Sequence, residues 1–410
     1  MNLCLPNLKV LDLSRVFAGP WATQMLADLG ANVIKVERPG RGDDVRQQGY
    51  KVKDQNGQES SETSSFFAMN RGKRSIAIDM SKPEGQELIR RLAAQADVLV
   101  ENFKVGDLAR YGLDYKTLRE INPRLVYCSI TGFGQTGPYR ALPGYDPIFQ
   151  SMSGLMSLTG LPDGVPGAGP QKVGYAVSDM NAGFYASFAI LAALNCRDNQ
   201  TGEGQHIDVA LLDAQIAALS HVAMNYLVSG KQPERVGSAS EITCPYQGFI
   251  CADGDLMLAV GNDSQFRQLV KLMELDALAD DPRFVTNPLR AKHRSELVPI
   301  LQKVFLQQSV SYWNTLLGDA GVPCGPINNF DQVFQDAQVV ERQVLFNLDH
   351  PVIGPTQFVA NPVKLSATPV KYKLPPPLLG QHTLEVLRDD LQLSDDEIAA
   401  FAKSSVIQLV

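Results

Sequence analysis

One carboxylate stands in an otherwise uncharged segment of the sequence. Asp179 lies within residues 173–194, a run of aliphatic, aromatic and small side chains that contains no other charged residue. Burying a carboxylate is unfavourable unless a partner stabilises it. A helical pattern starts at 181–183, so Asp179 is expected at a helix N-terminus, where free N–H groups stabilise an anion. Two interpretations remain open from the residues alone: an N-cap residue, or a nucleophilic carboxylate.

Cationic side chains lie at or near the ends of several predicted strands. They are Arg15, Arg38, Arg46, Arg71, Lys73, Arg74, Lys104 and Arg110. In an open α/β sheet the carboxyl ends of the strands form the ligand crevice. Arginine binds phosphate through paired N–H groups, so the set as a whole favours a phosphorylated ligand. Any one of these residues taken alone is better explained as part of a solvated surface.

The elements that must position these groups alternate between strands and helices. The predicted strands are 8–13, 32–36, 74–79, 97–101 and 125–130, with helices at 20–29 and 83–96. This alternation predicts a parallel sheet covered by helices. Further along, the pattern predicts a helix near 180–196, a strand at 205–208 and a long apolar helix at 209–230. Residues 40–65 are expected to form a long surface loop, and residues 132–172, rich in Gly and Pro, are expected to be irregular.

The chain is expected to form a large α/β domain and a smaller α+β domain. The large Rossmann-like domain is predicted at 1–205, followed by a linker helix at 206–230. The small domain is predicted at 231–330, where two strands precede three helices. Residues 331–410 are expected to be a linker and a C-terminal segment that returns to the large domain, with a last helix near 383–403.

Composition excludes several classes of protein. The 410 residues include 20% charged and 44% hydrophobic side chains, as in ordinary globular proteins, and the net charge of −7 argues against nucleic-acid binding. We expect no signal peptide and no membrane-spanning segment. The six cysteines are scattered without a C-x-x-C pair, and no histidines pair at i,i+4, so no metal site is expected. These features suggest a reducing, cytoplasmic location.

A glycine motif could suggest a dinucleotide site. Residues 132–137 fit G-x-G-x-x-G and follow a predicted strand. The dinucleotide fingerprint requires a helix to begin within the glycines, but Pro138, Pro143 and Pro147 follow and prevent a long helix there. We therefore reject this interpretation.

Segments spread over nearly the whole chain carry a family resemblance. They are 11–20, 29–38, 74–79, 97–103, 129–138, the Asp179 segment, 244–249, 325–329 and 375–383. Together they resemble the class III CoA-transferases, also called the formyl-CoA transferase and carnitine CoA-transferase family. Within that family the sequence is most similar to the succinate–hydroxymethylglutarate (glutarate) CoA-transferase branch.

The resemblance implies a fold, an activity and a set of site residues. The fold would be an interlocked homodimer of ring-shaped protomers. Asp179 would be the nucleophile, which carries first the acyl group and then CoA as an aspartyl-CoA thioester, and Asp146 would lie beside it. The residues implied as CoA contacts are Arg15, Val16, Phe17, Arg38, Ile78, Asn102, Phe103, Arg110 and Tyr111. Coenzyme A and acyl-CoA would be substrates, with no permanently bound cofactor, and the partners would be small carboxylic acids and a second copy of the chain.

The chemistry also requires donors for a thioester oxyanion. We expect them among the backbone N–H groups at the start of the 180–195 helix or in the loop at Gly261 and Asn262. A dicarboxylate is a candidate acceptor, and Arg46 or Arg71 could hold its second carboxylate, although either could be a surface residue.

Three positions in the sequence bear on the choice among relatives. Phe17 stands where oxalate-specific family members have glutamine, and residues 259–265 lack their run of four glycines, which argues against oxalate as the acceptor. Tyr145 stands where related racemases have a histidine base, and the absence of that histidine argues against racemisation.

The alternatives to acyl-CoA:acid CoA transfer are an acyl-CoA racemase or isomerase of the same superfamily, and a non-catalytic CoA-binding homologue.

Overall fold

The computed structural model of the protein describes residues 3–410. These residues divide into two compact units. The first contains residues up to 154 together with 173–220 and 341–410, and the second contains 155–172 and 221–340. The C-terminal segment therefore belongs to the first unit, while a short piece of the predicted large domain, 155–172, belongs to the second.

The helices and strands have the following bounds. The strands are β1 Lys9–Asp12, β2 Asn32–Glu37, β3 Lys51–Lys53, β4 Glu59–Thr63, β5 Lys73–Ile78, β6 Val98–Glu101, β7 Val126–Thr131, β8 His206–Ala210, β9 Tyr246–Ile250, β10 Asp255–Ala259, β11 Cys324–Pro326, β12 Leu345–His350, β13 Gly354–Val359 and β14 Ile407–Gln408. The helices are α1 Ala18–Asp28, α2 Ser64–Met69, α3 Pro83–Ala93, α4 Tyr115–Ile121, α5 Asp146–Met152, α6 Leu155–Leu158, α7 Val177–Cys196, α8 Leu211–Ala218, α9 Ser220–Ser229, α10 Asp263–Leu272, α11 Asn287–Lys292, α12 Arg294–Phe305, α13 Val310–Asp319, α14 Phe330–Gln335, α15 Ala337–Glu341, α16 Thr383–Glu385 and α17 Asp395–Lys403.

A seven-stranded sheet organises the first unit. Its order is β14-β5-β2-β1-β6-β7-β8; β14 runs antiparallel to β5 and the other strands are parallel. Without β14 this is the doubly wound order of Rossmann folds, and the direction of winding reverses between β1 and β6. The predicted α/β fold is confirmed, and the reversal marks the edge at which such sheets bind ligands.

Alternate side chains of the strands pack on opposite faces of this sheet. Val10 and Val98 point into a core completed by α1, α7 and α8, whereas Leu11 and Leu99 point into a core completed by α3 and the C-terminal segment. This alternation follows from the two-residue period of a strand, and both faces are covered, as expected for a parallel sheet.

The second unit is built on the antiparallel sheet β11-β10-β9. Helices α10, α12 and α13 contribute Phe266, Phe305 and Trp313 to its core, where they pack with Phe249 of β9. This agrees with the α+β character expected of this part of the chain.

Several local predictions are wrong. Residues 40–65 are not a loop throughout: they contain the β3–β4 hairpin, and Val45 is fully buried with Phe66 in a small core. Residues 132–172 are not irregular throughout, since they contain α5 and α6. Pro147 does not prevent α5, because it lies in the first turn, where a backbone N–H would have no partner within the helix. Strand β8 confirms the strand expected at 205–208, so the linker helix cannot begin at 206, and the long helix expected at 209–230 begins at Leu211 and is interrupted at Leu219.

Candidate active site

Two loops meet at the carboxyl ends of β1 and β6, where the direction of winding of the sheet reverses. The Arg15 backbone N–H, after β1, donates to Asn102 Oδ1 at 2.8 Å, and Asn102 Nδ2, after β6, donates to the Arg15 carbonyl oxygen at 2.6 Å. The Arg15 guanidinium also lies over the Phe103 ring, 4.7 Å from its centroid. The two loops therefore form one continuous surface at the ligand-binding edge of the sheet.

A cavity of about 370 Å³ opens at this surface. Of the residues expected to contact CoA, those that line it are Arg15, Arg38, Ile78, Phe103, Arg110 and Tyr111. Arg41, which the sequence analysis did not select, lines it as well. The cavity thus combines several guanidinium groups with apolar and aromatic walls, a composition that suits a phosphorylated ligand with an extended organic part.

The cations at this cavity are only weakly held by protein carboxylates. Asp44 lies 3.4 Å from Arg15 and 3.1 Å from Arg41, and Asp107 lies 2.5 Å from Arg110. All three arginines are substantially exposed, so each pair contributes little to stability. The exposed Arg38 guanidinium has no ion pair among residues 3–410. These groups are therefore available to a ligand's phosphates.

Val16 adopts a backbone conformation that is rare for a β-branched residue, with φ of 69°. Its backbone N–H donates to Asp43 Oδ1 at 3.0 Å, and Asp43 Oδ2 accepts from the buried Lys35 ammonium at 2.8 Å. Such a conformation costs roughly 1–3 kcal/mol and persists only when its surroundings enforce it. Asp43 and Lys35 thus hold the turn that leads from the Arg15 loop into α1.

Other cations expected at a phosphate site are already engaged within the protein. The ion pairs are Arg46–Glu37 at 2.8 Å, Arg71–Asp28 at 2.7 Å, Lys73–Asp12 at 2.9 Å and Arg74–Glu385 at 2.9 Å. Burial alone would raise the pKa of Glu37, but the charge and hydrogen bonds of Arg46, together with the Lys35 ammonium and the Ser75 hydroxyl, outweigh burial and lower that pKa to about 2. The suggestion that Arg46 or Arg71 holds a substrate carboxylate is wrong, because both guanidinium groups are buried and occupied by protein acceptors.

A second cavity, of about 340 Å³, adjoins the first and shares Arg15, Asp44 and Phe103 with it. Asp179 lines this second cavity, as do Val16 and Asn102. Phe17 lines neither cavity and packs instead against the small core around Phe66. A ligand that fills both cavities would extend past Phe103 toward the Asp179 carboxylate.

Asp179 is the third residue of α7, not its N-cap, which is Ala176. Helix α7 crosses α1 closely at Gly183, where an added Cβ would lie 2.8 Å from the Ala18 carbonyl oxygen and 2.9 Å from the Trp21 ring. The absence of a side chain there allows the first turns of the two helices to approach. As a result, the Ala18 backbone N–H, at the start of α1, donates to the Asp179 carboxylate.

Asp146 is buried and caps the helix that carries Asp179. Its Oδ1 accepts from the backbone N–H groups of Ser178 at 2.7 Å and Asp179 at 3.4 Å, and its Oδ2 accepts from Gln150 Nε2 at 2.6 Å. Burial, and then the negative charge of Asp146, raise the pKa of Asp179 to about 7, although the hydrogen bond from Ala18 opposes them. Asp146 thus positions α7 and changes the protonation of Asp179, and it does not itself line the cavity.

The expected oxyanion donors are placed differently. The first N–H groups of α7 are unavailable because Asp146 accepts them, so that prediction is wrong. Gly261 and Asn262 lie in the second unit, where the Gly261 N–H donates to Gln265 Oε1 at 2.9 Å and Asn262 caps α10. Their role at an oxyanion stays a prediction. The donor that the structure brings to Asp179 is the N–H of Ala18.

Sequence reasoning missed Arg41, which lines the first cavity, and Ala18 and Arg140, which line the second. Arg41 follows β2 between two glycines, a position that could have been recognised as a ligand loop. Ala18 carries no local signal, because it acts through its backbone. Arg140 lies in the Gly- and Pro-rich stretch that was expected only to be irregular.

Comparison with known proteins agrees with this geometry. The sequence profile of CoA-transferase family III matches residues 5–383. The chain belongs to this family. It is a class III CoA-transferase, an enzyme that transfers CoA between carboxylic acids, which confirms the resemblance drawn from the sequence motifs.

Several relatives of the family are similar over almost their full length. A succinate–glutarate CoA-transferase of Agrobacterium fabrum is 48% identical over 94% of this chain and 95% of its own length. The human succinyl-CoA:glutarate CoA-transferase is 41% identical over 98% of this chain and 90% of its own. A CaiB/BaiF family protein of Brucella suis has a similar structure, with a TM-score of 0.84 at 44% identity over 95% of this chain and 100% of that one.

Two further observations concern metals and membranes. Among residues 3–410, no three His, Cys, Asp or Glu side chains are grouped so that they could hold a metal ion. One stretch in that range, Val177–Thr201, is long and apolar enough to cross a membrane by length and composition alone. Core helices of soluble proteins have similar compositions, and α7, which makes up most of it, packs against α1 and α8.

Proposed function

We propose that this CoA-transferase moves CoA from succinyl-CoA to a free dicarboxylic acid such as glutarate, through an aspartyl-CoA thioester on Asp179. The observation that carries the proposal is the position of Asp179 in a cavity that shares Arg15, Asp44 and Phe103 with the arginine-lined one. The names of the similar enzymes, which act on succinate, glutarate and succinyl-CoA, support the choice of acids.

In this proposal the two cavities hold different parts of the thioester substrate. The phosphates of CoA bind near Arg38, Arg41 and Arg110, and its pantetheine arm passes Phe103 into the second cavity. Burial and fixed polar groups at Asp179 keep the reactive acyl intermediates away from bulk water. The Ala18 N–H stabilises negative charge on the oxygen atoms of Asp179 as each adduct forms and breaks down.

The exchange divides into steps that each make and break one bond. An Asp179 oxygen attacks the thioester carbonyl, the C–S bond breaks, and CoA departs as its thiolate. The acyl group is then joined to Asp179 as a mixed anhydride. The thiolate attacks the aspartyl carbonyl, which releases the donor acid and forms the aspartyl-CoA thioester. The acceptor carboxylate attacks that thioester, and the same steps in reverse give the new acyl-CoA and free Asp179. Covalent catalysis thereby conserves the thioester energy.

We also propose that the protein functions as a homodimer, interlocked as the family resemblance implies. Its support is an apolar stripe on α7. Phe184, Phe188 and Leu191 recur at helical spacing and are exposed by 50%, 73% and 37% of their surfaces. Exposed apolar patches of this kind are typical of protein–protein interfaces. Sedimentation of the purified chain tests this, with a monomer as the contrary result.

Trapping during turnover tests the role of Asp179. The wild-type enzyme incubated with succinyl-CoA is expected to yield a peptide containing residue 179 that carries CoA, or a hydroxamate or alcohol after hydroxylamine or borohydride treatment. Asp179→Asn and Asp179→Ala are expected to bind CoA normally, to give no adduct and to lose at least about 10⁴-fold in kcat.

Asp213 offers a matched control, because it also occupies the third position of a helix, α8, but is exposed. Asp213→Asn is expected to keep wild-type turnover and adduct formation. Label on another side chain, with residue 179 unmodified, would overturn the mechanism. Exchange of the α-proton of an acyl-CoA without CoA transfer would indicate the racemase alternative.

A further inference from the structure

Arg140 is a cation that the mechanism above does not use. It lines the same cavity as Asp179, is exposed, and its guanidinium has no ion pair or hydrogen bond among residues 3–410. Arg15, another cation of this cavity, differs because it also lines the first cavity and contacts Asp44 and Phe103. Lys104 also lines the cavity, but this residue in addition lines a separate cavity that includes His206.

The loop that carries Arg140 is held in place by aromatic packing and by a hydrogen-bonded turn. Its first part is anchored by Tyr139, whose ring packs edge-on against Phe133 with 5.6 Å between centroids, and Phe133 packs in the same way on Phe149 at 5.2 Å. A turn follows, in which the Leu142 N–H donates to the Tyr139 carbonyl oxygen at 2.8 Å. Arg140 lies at the second position of this turn.

Two glycines bring the ends of the loop against the same ring. A Cβ added at Gly132 would lie 2.6 Å from Phe149 Cζ, and one at Gly144 would lie 2.3 Å from it. Phe149 belongs to α5, the helix that begins with Asp146. Because Asp146 caps α7, the loop with Arg140 and the helix with Asp179 are both fixed to α5.

We propose that Arg140 binds the second carboxylate of a dicarboxylic acid whose first carboxylate reacts at Asp179. This proposal rests on the proposed function and adds its specificity determinant. A guanidinium binds a carboxylate with two parallel N–H···O bonds, which gives both affinity and orientation. Leu142 and Pro143, which line the same cavity, supply an apolar wall for the methylene chain between the two carboxylates.

Internal competition between two acceptors tests this assignment. Glutarate and pentanoate have the same number of carbons, but only glutarate has a second carboxylate. When both are present at equal concentration with succinyl-CoA, the initial ratio of glutaryl-CoA to pentanoyl-CoA equals the ratio of their kcat/KM values and does not depend on the donor. Mass spectrometry of the products measures this ratio in wild type, Arg140→Gln, Arg140→Lys and Lys104→Gln.

We expect Arg140→Gln to lower the ratio about 10- to 100-fold, because one charged hydrogen-bonded contact is lost. The loss should appear in the KM for glutarate, with kcat/KM for pentanoate and CoA affinity unchanged, and Arg140→Lys should recover part of it. Lys104→Gln should leave the ratio as in wild type.

Two results would overturn the assignment: a ratio that is unchanged in Arg140→Gln, including the case in which both products fall equally, or a fall in the ratio caused by Lys104→Gln instead. Each of them leaves CoA transfer itself intact. Failure of the wild-type enzyme to form either product would instead reject the proposed function.

Discussion

Asp146 and Asp179 are linked through the first turn of α7: the Asp146 carboxylate accepts the backbone N–H of Asp179 at 3.4 Å, and its charge raises the pKa of the Asp179 side chain. One buried residue therefore fixes where the proposed nucleophile lies and influences when it is ionised. A carboxylate with a pKa near the working pH is more nucleophilic than a fully acidic one and is still substantially ionised.

The pH dependence of the reaction should reflect this pKa. In the proposed mechanism Asp179 attacks as the carboxylate, and its pKa of about 7 lies above the ordinary value, so protonation would remove the nucleophile as the pH falls below 7. We expect kcat/KM for succinyl-CoA to fall about tenfold per pH unit below 7 and to level off above it. A pH profile of the free enzyme's kcat/KM measures this.

Replacement of Asp146 by Asn should shift that profile to lower pH. Asparagine Oδ1 can still accept the Ser178 N–H, so the cap is retained while the negative charge is lost. The remaining cause of the raised pKa is burial, which the substitution leaves in place. An inflection that stayed at the wild-type pH in Asp146→Asn would contradict the electrostatic link between the two carboxyl groups.

Gly183 should be required for the approach of α7 to α1. In Gly183→Ala the new Cβ would lie 2.8 Å from the Ala18 carbonyl oxygen, so the helices must separate. We expect destabilisation by about 1–3 kcal/mol and a loss of kcat, since the same movement takes Asp179 away from the Ala18 N–H. Urea unfolding and steady-state kinetics measure the two effects.

Gly318 is the matched control for that substitution. It also lies within a helix, α13, but a Cβ there would meet nothing within 4 Å. Gly318→Ala should stabilise the protein by up to about 1 kcal/mol through helix propensity alone. Equal effects of the two substitutions would show that the close crossing of α1 and α7 is not what Gly183 provides.

Arg38 and Arg110 should act mainly on binding of the thioester. In the proposed complex each loses a phosphate contact when replaced by Ala, and that contact would be the same in the ground state and the transition state. We expect KM for succinyl-CoA to rise about tenfold or more with a smaller change in kcat. Arg119→Ala is the control, because Arg119 pairs with Glu203 and lines neither cavity. Unchanged KM values in both variants would place the CoA phosphates elsewhere.

Arg46 should matter for stability rather than for substrate choice. Its guanidinium is buried between Glu37 and Glu62 and stacks over Phe66. Arg46→Met leaves both carboxylates without their cation, which typically costs about 3–5 kcal/mol when such a pair is buried. Arg41→Met, at an exposed arginine, should leave the unfolding midpoint nearly unchanged. A stable Arg46→Met enzyme with altered acid preference would restore Arg46 as a substrate contact.

Strand and helix periodicity predicted most of the large sheet. Segments such as 32–36 and 97–101 are short β-branched runs, and they lie within one or two residues of strands β2 and β6. Helix α3 was equally clear, because Pro83 and Glu84 occupy its first turn and Arg90 and Arg91 its last. Such signals depend only on residues close together in the sequence, so they can be recognised without knowledge of the fold.

Polar segments with little periodicity were predicted less well. The hairpin β3–β4 is almost entirely hydrophilic, and Val52 is the one apolar residue of its strands that packs against the small core around Val45 and Phe66. Strand β14 is only two residues long and pairs with β5, which lies at the other end of the chain. No local pattern reports such pairings, because their stability comes from contacts between distant residues.

The residue types therefore identified the family, the parallel sheet and Asp179 as the group with nucleophilic potential. They did not distinguish the exposed arginines from the buried ones, since Arg38 and Arg46 look alike in the sequence and differ only in whether a carboxylate packs against them. Nor did they indicate that Ala18 donates to Asp179, because that hydrogen bond depends on Gly183 letting two helices approach. Burial and hydrogen bonding between residues far apart in the chain arise only when the whole unit packs, and at this site they determine which charges remain free to act.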